Sequence, residues 1–427
     1  MGSIRSRLRN KYYIVTNSIA FIPAIITIGI SLIALGVISF ETPEIKNWLS
    51  ENAKAFILKD KDTARGILGV FIGGLISLTV FSFSMVMILL NQASNNYSPR
   101  LLPGLISSKR HQVVLGTYLG SIGFCIMVMI NIQPDAKNYD LPMIGFMVCL
   151  VLMAICLSQF IFFINNISKT IQISNILVGL FRKTSNNLRA RKKIEQEIIK
   201  CREGSGEFDN STSHKIPSRR TGYLREATMD EMIKIATKED LKICIPIAEG
   251  NFVLEEQAVL KLNKKVSKEI EEDLLNTLNF TIEEIVDENY YFGFKHFTEI
   301  ATKAMSPGIN DPGTALNAID YLSELYKELS NLEGILSYKD DDGIYRVYVE
   351  THSFEEILAN NMTYLRTYCK GDPIVSKRLI KMLLFLKNIE ELNSDRCAFI
   401  SQEIEILKED MKSAISNEID YRRSIKA

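Results

Sequence analysis

The sequence predicts a polytopic α-helical membrane protein: four transmembrane helices, then a mixed α+β and finally an α-helical cytoplasmic C-terminal region. Three observations carry that expectation. Uncharged runs at residues 12–40, 66–99, 111–134 and 141–168 are each long enough for the roughly 20 apolar residues that cross a bilayer. Lys and Arg cluster at residues 5–11, 100–110 and 182–193, before the first run, between the second and third, and after the fourth. From Gly222 onward the hydrophobic pattern shifts to the short amphipathic repeats of a water-facing region.

Composition narrows the partners. Lys+Arg and Asp+Glu both total 50 in 427 residues, so no basic excess points to a nucleic acid. The seven cysteines form no C-x-x-C pair, and Cys125, Cys149 and Cys156 fall in hydrophobic runs; reduced packing cysteines are expected rather than a disulfide framework or a zinc site.

The first run follows Arg5, Arg7, Arg9 and Lys11 and is too long for a signal-peptide core of about 7 to 15 residues, which predicts an uncleaved span over 14–38. The remaining spans are expected at 68–94, 112–133 and 142–166. The loops 41–65 and 135–140 mix both signs, so the positive-inside rule puts both termini in the cytoplasm of a cell inner membrane. Thr42-Pro43 starts a helix-like segment with Trp48 on its apolar face; it either lies in the outer interface or packs on a span. Residues 171–199 are basic and helical and extend the membrane domain to 199. A polar linker is expected at 200–221, a small β-rich cytoplasmic module at 222–286 and a mostly helical module at 287–427.

The second span is not hydrophobic on every side. Ser77, Ser84 and Asn91 recur every seven residues, Asn95 extends their line by a turn, and Arg100 follows at the basic end. Hydroxyls and amides on one stripe require a polar counterpart, because each unpaired group in hydrocarbon costs several kcal/mol. The same stretch, F-S-F-S-M-V-M-I-L-L-N-Q-A-S-N-N-Y-S-P-R-L-L, is followed by L-G-T-Y-L-G and much later by A-M-S-P-G-I-N-D-P-G-T-A. These blocks, in this order, resemble the bacterial membrane family called domain of unknown function 2254, over nearly the whole chain. The resemblance implies a multi-pass inner-membrane protein and brings no activity with it. Family members carry a G-x-F-V turn with a second glycine just after it; Gly250-Asn251-Phe252-Val253 matches the turn, while Glu255, Glu256 and Gln257 replace the second glycine.

In the C-terminal region, Tyr223 to Arg225 reads as a strand and Thr228-x-x-Glu231 as a capping box opening a helix to about Lys238. Leu241, Ile243, Ile245 and Ile247 alternate as a half-buried strand. Pro307 and Gly308 stop one helix; Asp311 and Pro312 start the next, a pairing repeated at Asp372-Pro373. The turn is either purely structural or, through Ser306, Asn310, Asp311 and Thr314, a place for a small anion or partner loop. Asp340 to Gly343 reads as a hairpin turn without the ligand spacing of a calcium loop, and three helices are expected at 354–368, 374–392 and 396–422.

His111, His214, His296 and His352 have no metal-type spacing, and no phosphate-binding, dinucleotide-binding or hydrolase motif occurs. No catalytic residue, metal or cofactor is therefore expected. The leading reading is an oligomeric, channel-like protein passing a small ion or solute along the Ser77, Ser84, Asn91, Asn95 stripe, with Arg100 near its inner mouth and the cytoplasmic part as regulator. The alternatives are an interhelical hydrogen-bond seam on that stripe, and a membrane-anchored sensor or scaffold whose cytoplasmic module binds a ligand or protein.

Overall fold

The computed structural model describes residues 18, 20–39, 60–96, 109–132, 142–170, 173–199, 208, 213–282, 284, 289–390 and 392–426, except for the side chains at 89–90, 93–96, 109, 167–170 and 197–199. The expected segment around Trp48 and the position of Arg100 lie outside the described residues. The chain forms two compact units, one built from the N-terminal region to Gln172 and the other from Ile173 to Ala427.

The first unit holds four helices long and apolar enough to cross a membrane. They are α1 (Phe21–Ser39), α2 (Lys61–Asn96), α3 (Lys109–Ile130) and α4 (Met143–Thr170). Helix α2 starts seven residues before the span expected from hydropathy, because Asp60 accepts the Thr63 amide at 3.0 Å and caps it. Helix α1 lies close against α3. A Cβ on Gly116 would stand 2.9 Å from the Pro23 Cα, and one on Gly120 3.0 Å from the Ile30 Cβ. The L-G-T-Y-L-G block thus supplies two glycines, four residues apart, that let two backbones approach. Helix α2 meets the bundle on a narrow line, burying Leu68, Leu75 and Ser82 at seven-residue intervals.

The fourth span was expected over 142–166 with a helical extension to 199. The described residues there form α4 and a helix α5 (Ile173–Ile199), and α5 belongs to the C-terminal unit. That unit continues through β1 (His214–Pro217), β2 (Gly222–Ala227), α6 (Met229–Lys238), β3 (Ile243–Ile245), β4 (Phe252–Val253), β5 (Ala258–Leu262), α7 (Lys268–Asn276) and β6 (Leu278–Thr281). Then follow α8 (Tyr290–Ala304), α9 (Pro312–Leu329), β7 (Ile335–Lys339), β8 (Tyr345–Glu350), α10 (Phe354–Cys369), α11 (Pro373–Lys387), α12 (Ser394–Ala414) and α13 (Glu418–Ile425).

Two sheets form, with strand orders β1-β5-β3-β8-β7 and β4-β2-β6. Strand β3 pairs antiparallel with β5 and parallel with β8, so it is central and all three of its residues are buried, not half-buried as the alternation suggested. The five-stranded sheet takes strands from both sides of residue 286, where a module boundary was expected. Strand β1 lies within the segment expected as linker; its Ile216, 1% exposed, is enough to seat it on β5. Thr228 opens α6 at the expected place without a side-chain cap. The last expected helix is split: Ile415 is extended and Asn417 caps α13 by accepting the Ile419 amide at 2.9 Å. In the β7–β8 turn, the Asp340 carboxylate accepts the Asp342 and Ile344 amides and pairs with Arg346 at 2.7 Å, so it is spent within the hairpin.

Candidate functional site

The stripe on α2 faces away from its own bundle. Ser77, Ser84 and Asn91 are exposed, roughly opposite the buried line of Leu68, Leu75 and Ser82. The Ser77 hydroxyl donates back to the Gly73 carbonyl at 2.9 Å, which satisfies it within the helix. An asparagine carries two donors and an acceptor, more than the preceding turn supplies. Asn95 continues the helix, but its side chain lies outside the described set, as does all of Arg100.

Three further residues extend the stripe in the other direction. Gly66, Gly69 and Gly73 are exposed, and a Cβ on any of them would meet nothing within 4 Å. Gly69, Gly73 and Ser77 stand four apart, the small-residue spacing that lets membrane helices approach closely. The sequence reading passed over them although the spacing was legible in G-I-L-G-V-F-I-G-G-L-I-S.

An interhelical seam inside the bundle does exist, made by other residues. Thr117 and Ser121 of α3 face Gln159 and Cys156 of α4, at 3.5 Å from Gln159 Nε2 to Thr117 Oγ1 and 3.4 Å from Cys156 Sγ to Ser121 Oγ. Tyr118 is wholly enclosed beside them.

The turn expected as a second candidate is internally satisfied at three of its four residues. Ser306 Oγ donates to the Lys303 carbonyl at 2.6 Å, and Thr314 donates both its amide and its hydroxyl to the Asp311 carboxylate, at 3.1 and 2.6 Å. That carboxylate stands where an anion at the start of α9 would bind. Asn310 is exposed, with a left-handed φ of +47°. Asp372 caps α11 in the same manner, at 2.8 and 2.9 Å from the Ile374 and Val375 amides.

Segments far apart in sequence meet at Glu249-Gly250. Gly250 has φ +93°, and a Cβ there would lie 2.7 Å from Asn289 Nδ2, so both backbone and space demand glycine. Asn289 Nδ2 donates to the Glu249 carbonyl at 2.7 Å while its Oδ1 accepts the Tyr291 amide at 2.9 Å. His352 Nε2 stands 3.2 Å from the same carbonyl, and its ring stacks on Tyr291 with centroids 3.8 Å apart. His352 Nδ1 stands 3.4 Å from the Glu356 carboxylate, and hydrogen bonding between these side chains is the main cause holding the Glu356 carboxyl below its usual range.

Burial pushes the Glu249 carboxyl up to about 7 and Glu226 adds to the rise, while Arg191 of α5 and the Ala227 amide oppose it. Burial likewise pushes the Tyr290 phenol up to about 12. A hollow of about 10 Å³, room for one water, opens beside Gly250 between Tyr223, Arg225, Thr281 and Asn289. Chemically, this place holds a carboxyl able to exchange a proton near neutral pH. The G-x-F-V turn was legible in the sequence; the residues closing on it come from α5, α8 and the loop after β8, and no local pattern links them.

Residues 16–384 match the family model described as "Predicted membrane protein (DUF2254)". Among curated proteins, the chain is similar to the uncharacterized protein Rv1290c of Mycobacterium tuberculosis, with 21% identity over 335 residues, 75% of this chain and 63% of that protein. It is similar to the uncharacterized protein Mb1321c of Mycobacterium bovis to the same extent, 21% identity over 75% of this chain and 63% of that protein. The chain thus spans less than two thirds of the length of the curated relatives it matches. No solved structure matches it. With four apolar helices at its start and the family model covering most of its length, the chain belongs to this family of predicted membrane proteins.

Proposed function

We propose that this chain is a multi-pass inner-membrane protein that associates with copies of itself along α2 and passes small ions or solutes there, its C-terminal unit acting as regulator on the cytoplasmic side. The observation that carries the reading is the outward direction of Ser77, Ser84 and Asn91, opposite the face by which α2 packs on its own bundle. A stripe so placed is shielded from hydrocarbon by another chain or by water. The open glycines Gly66, Gly69 and Gly73 on the same face favour another chain over part of the length.

The test is efflux of potassium, chloride and glycerol from proteoliposomes, with cross-linking to read assembly. Ser84→Leu with Asn91→Leu is expected to abolish flux and leave assembly intact. A wild-type protein that passes none of the three probes, combined with loss of assembly in the variant, leaves only a subunit seam and removes the conducting role. A second reading, a membrane-anchored sensor, is favoured by the Glu249 constellation, where one proton or one small ligand meets several elements of the C-terminal unit at once.

A further inference from the structure

Helix α5 divides its charges by face. Ile176, Leu177, Leu180 and Leu188 are buried within the C-terminal unit, and Arg191 and Glu195 lie on the same side. Glu195 is the one carboxylate among the described side chains of α5, and it is turned inward, accepting the Glu333 amide at 2.8 Å and facing Arg191 at 3.7 Å. Arg182, Lys183, Arg189, Lys192 and Lys193 are all exposed. Arg189 pairs with Glu328 at 3.3 Å and still leaves 71% of its side chain open. At 3.6 residues per turn, Arg182, Arg189 and Lys193 fall within about 40° of one another on the outer face, over a rise of about 16 Å.

Position in the chain says which anion this face meets. Two residues of the chain separate Thr170, the last described residue of α4, from Ile173, the first of α5. Nine helical steps and a three-step link hold Arg182 within about 25 Å of Thr170. The abundant anions within that reach of the end of a membrane span are lipid headgroups, and juxtamembrane basic clusters are drawn to them over a Debye length.

We propose that the exposed basic face of α5 docks on anionic lipid headgroups of the leaflet where the fourth span ends. Orientation of the spans needs cations near this position in the sequence, but it does not need three of them in one exposed line opposite the face by which the helix packs. Docking uses a net positive outer surface: α5 carries five exposed cations against two carboxylates, Glu195, which is turned inward, and Glu197.

The experiment uses the full chain in sealed vesicles of phosphatidylcholine, or of phosphatidylcholine with about one third phosphatidylglycerol, labelled with an amine-reactive reagent and read by mass spectrometry. Lys192 and Lys193 are the reporters, and the exposed Lys264 and Lys265 of the same unit are the internal standard. In the anionic vesicles, labelling of the reporters relative to the standard is expected to fall about fivefold and to recover at about 0.5 M salt. The double variant Arg182→Gln, Arg189→Gln keeps both reporters and is expected to lose most of the protection. Equal relative labelling in the two lipid mixtures overturns the proposal. So does equal protection in phosphatidylcholine vesicles on adding inorganic phosphate, which assigns the face to a free anion.

Discussion

Gly116 carries no Cβ because the Pro23 Cα occupies its neighbourhood: a Cβ built there would lie 2.9 Å from that backbone atom. Thr27 Oγ1, 3.4 Å from the Gly116 carbonyl, is drawn to the same contact. Adding a methyl group forces α1 and α3 apart, and backbone does not yield as the end of a flexible side chain does. Gly116→Ala is therefore expected to cost about 1 to 3 kcal/mol. Gly123→Ala makes the same chemical change where the nearest atom, Ser31 Oγ, would be at 3.6 Å, an ordinary contact. Thermal unfolding of the detergent-purified protein should show a lowered midpoint for the first variant and an unchanged one for the second; equal midpoints contradict the close approach.

Glu249 gives the C-terminal unit a pH dependence of definite sign. Burial raises its carboxyl from an ordinary value of 4.5 to about 7, with Glu226 pushing the same way and Arg191 opposing. Tyr290 and Tyr338, both within electrostatic reach of Glu249, are raised by burial and stay neutral throughout this range. Between 4.5 and about 7 the folded chain holds a proton that the unfolded chain has released. Stability is therefore greatest below 4.5 as far as this group is concerned, and it declines as pH rises through about 7. Glu356, whose carboxyl is held low by His352, acts oppositely and below this window. Glu249→Gln is expected to flatten the decline between pH 5 and pH 8, seen as a smaller difference in unfolding midpoint between those two conditions. An unchanged difference would show that other groups set it.

What the sequence revealed and what it withheld divide along the range of the interactions. The spans were legible because lipid demands an unbroken apolar length, and the Asp311-Pro312 and Asp372-Pro373 helix starts because a cap and its amides lie within three residues. Which side of α2 packs was not legible: the choice depends on side chains of α3 and α4, and a polar stripe looks the same facing in or out. The parallel pairing of β3 with β8 joins residues about a hundred positions apart and leaves no local trace. Strand β1 escaped because its neighbours are polar and one buried isoleucine suffices to hold it. The Glu249 site escaped for the same reason as the sheet. Its turn glycine was visible, while Arg191, Asn289 and His352 converge on it only after folding.

Gly293, in the Tyr290 to Phe294 stretch that opens α8, is packed directly on Thr184 of α5. A Cβ on Gly293 would overlap the Thr184 hydroxyl and stand 2.7 Å from its Cβ. Thr184 is fully buried and cannot swing away, since its Oγ1 donates to the Leu180 carbonyl at 2.9 Å. Gly293→Ala is therefore expected to destabilise the unit by about 1 to 3 kcal/mol. Thr184→Gly alone also costs stability, through a cavity and a poorer helix former. The two changes should not add: glycine at 184 vacates the space that alanine at 293 needs, so the double variant is expected to be more stable than the sum of the single losses predicts, by about 0.5 to 3 kcal/mol. Denaturant unfolding of the four proteins in one detergent measures that coupling. Additivity within about 0.5 kcal/mol would mean that α5 and α8 are not in contact at these residues.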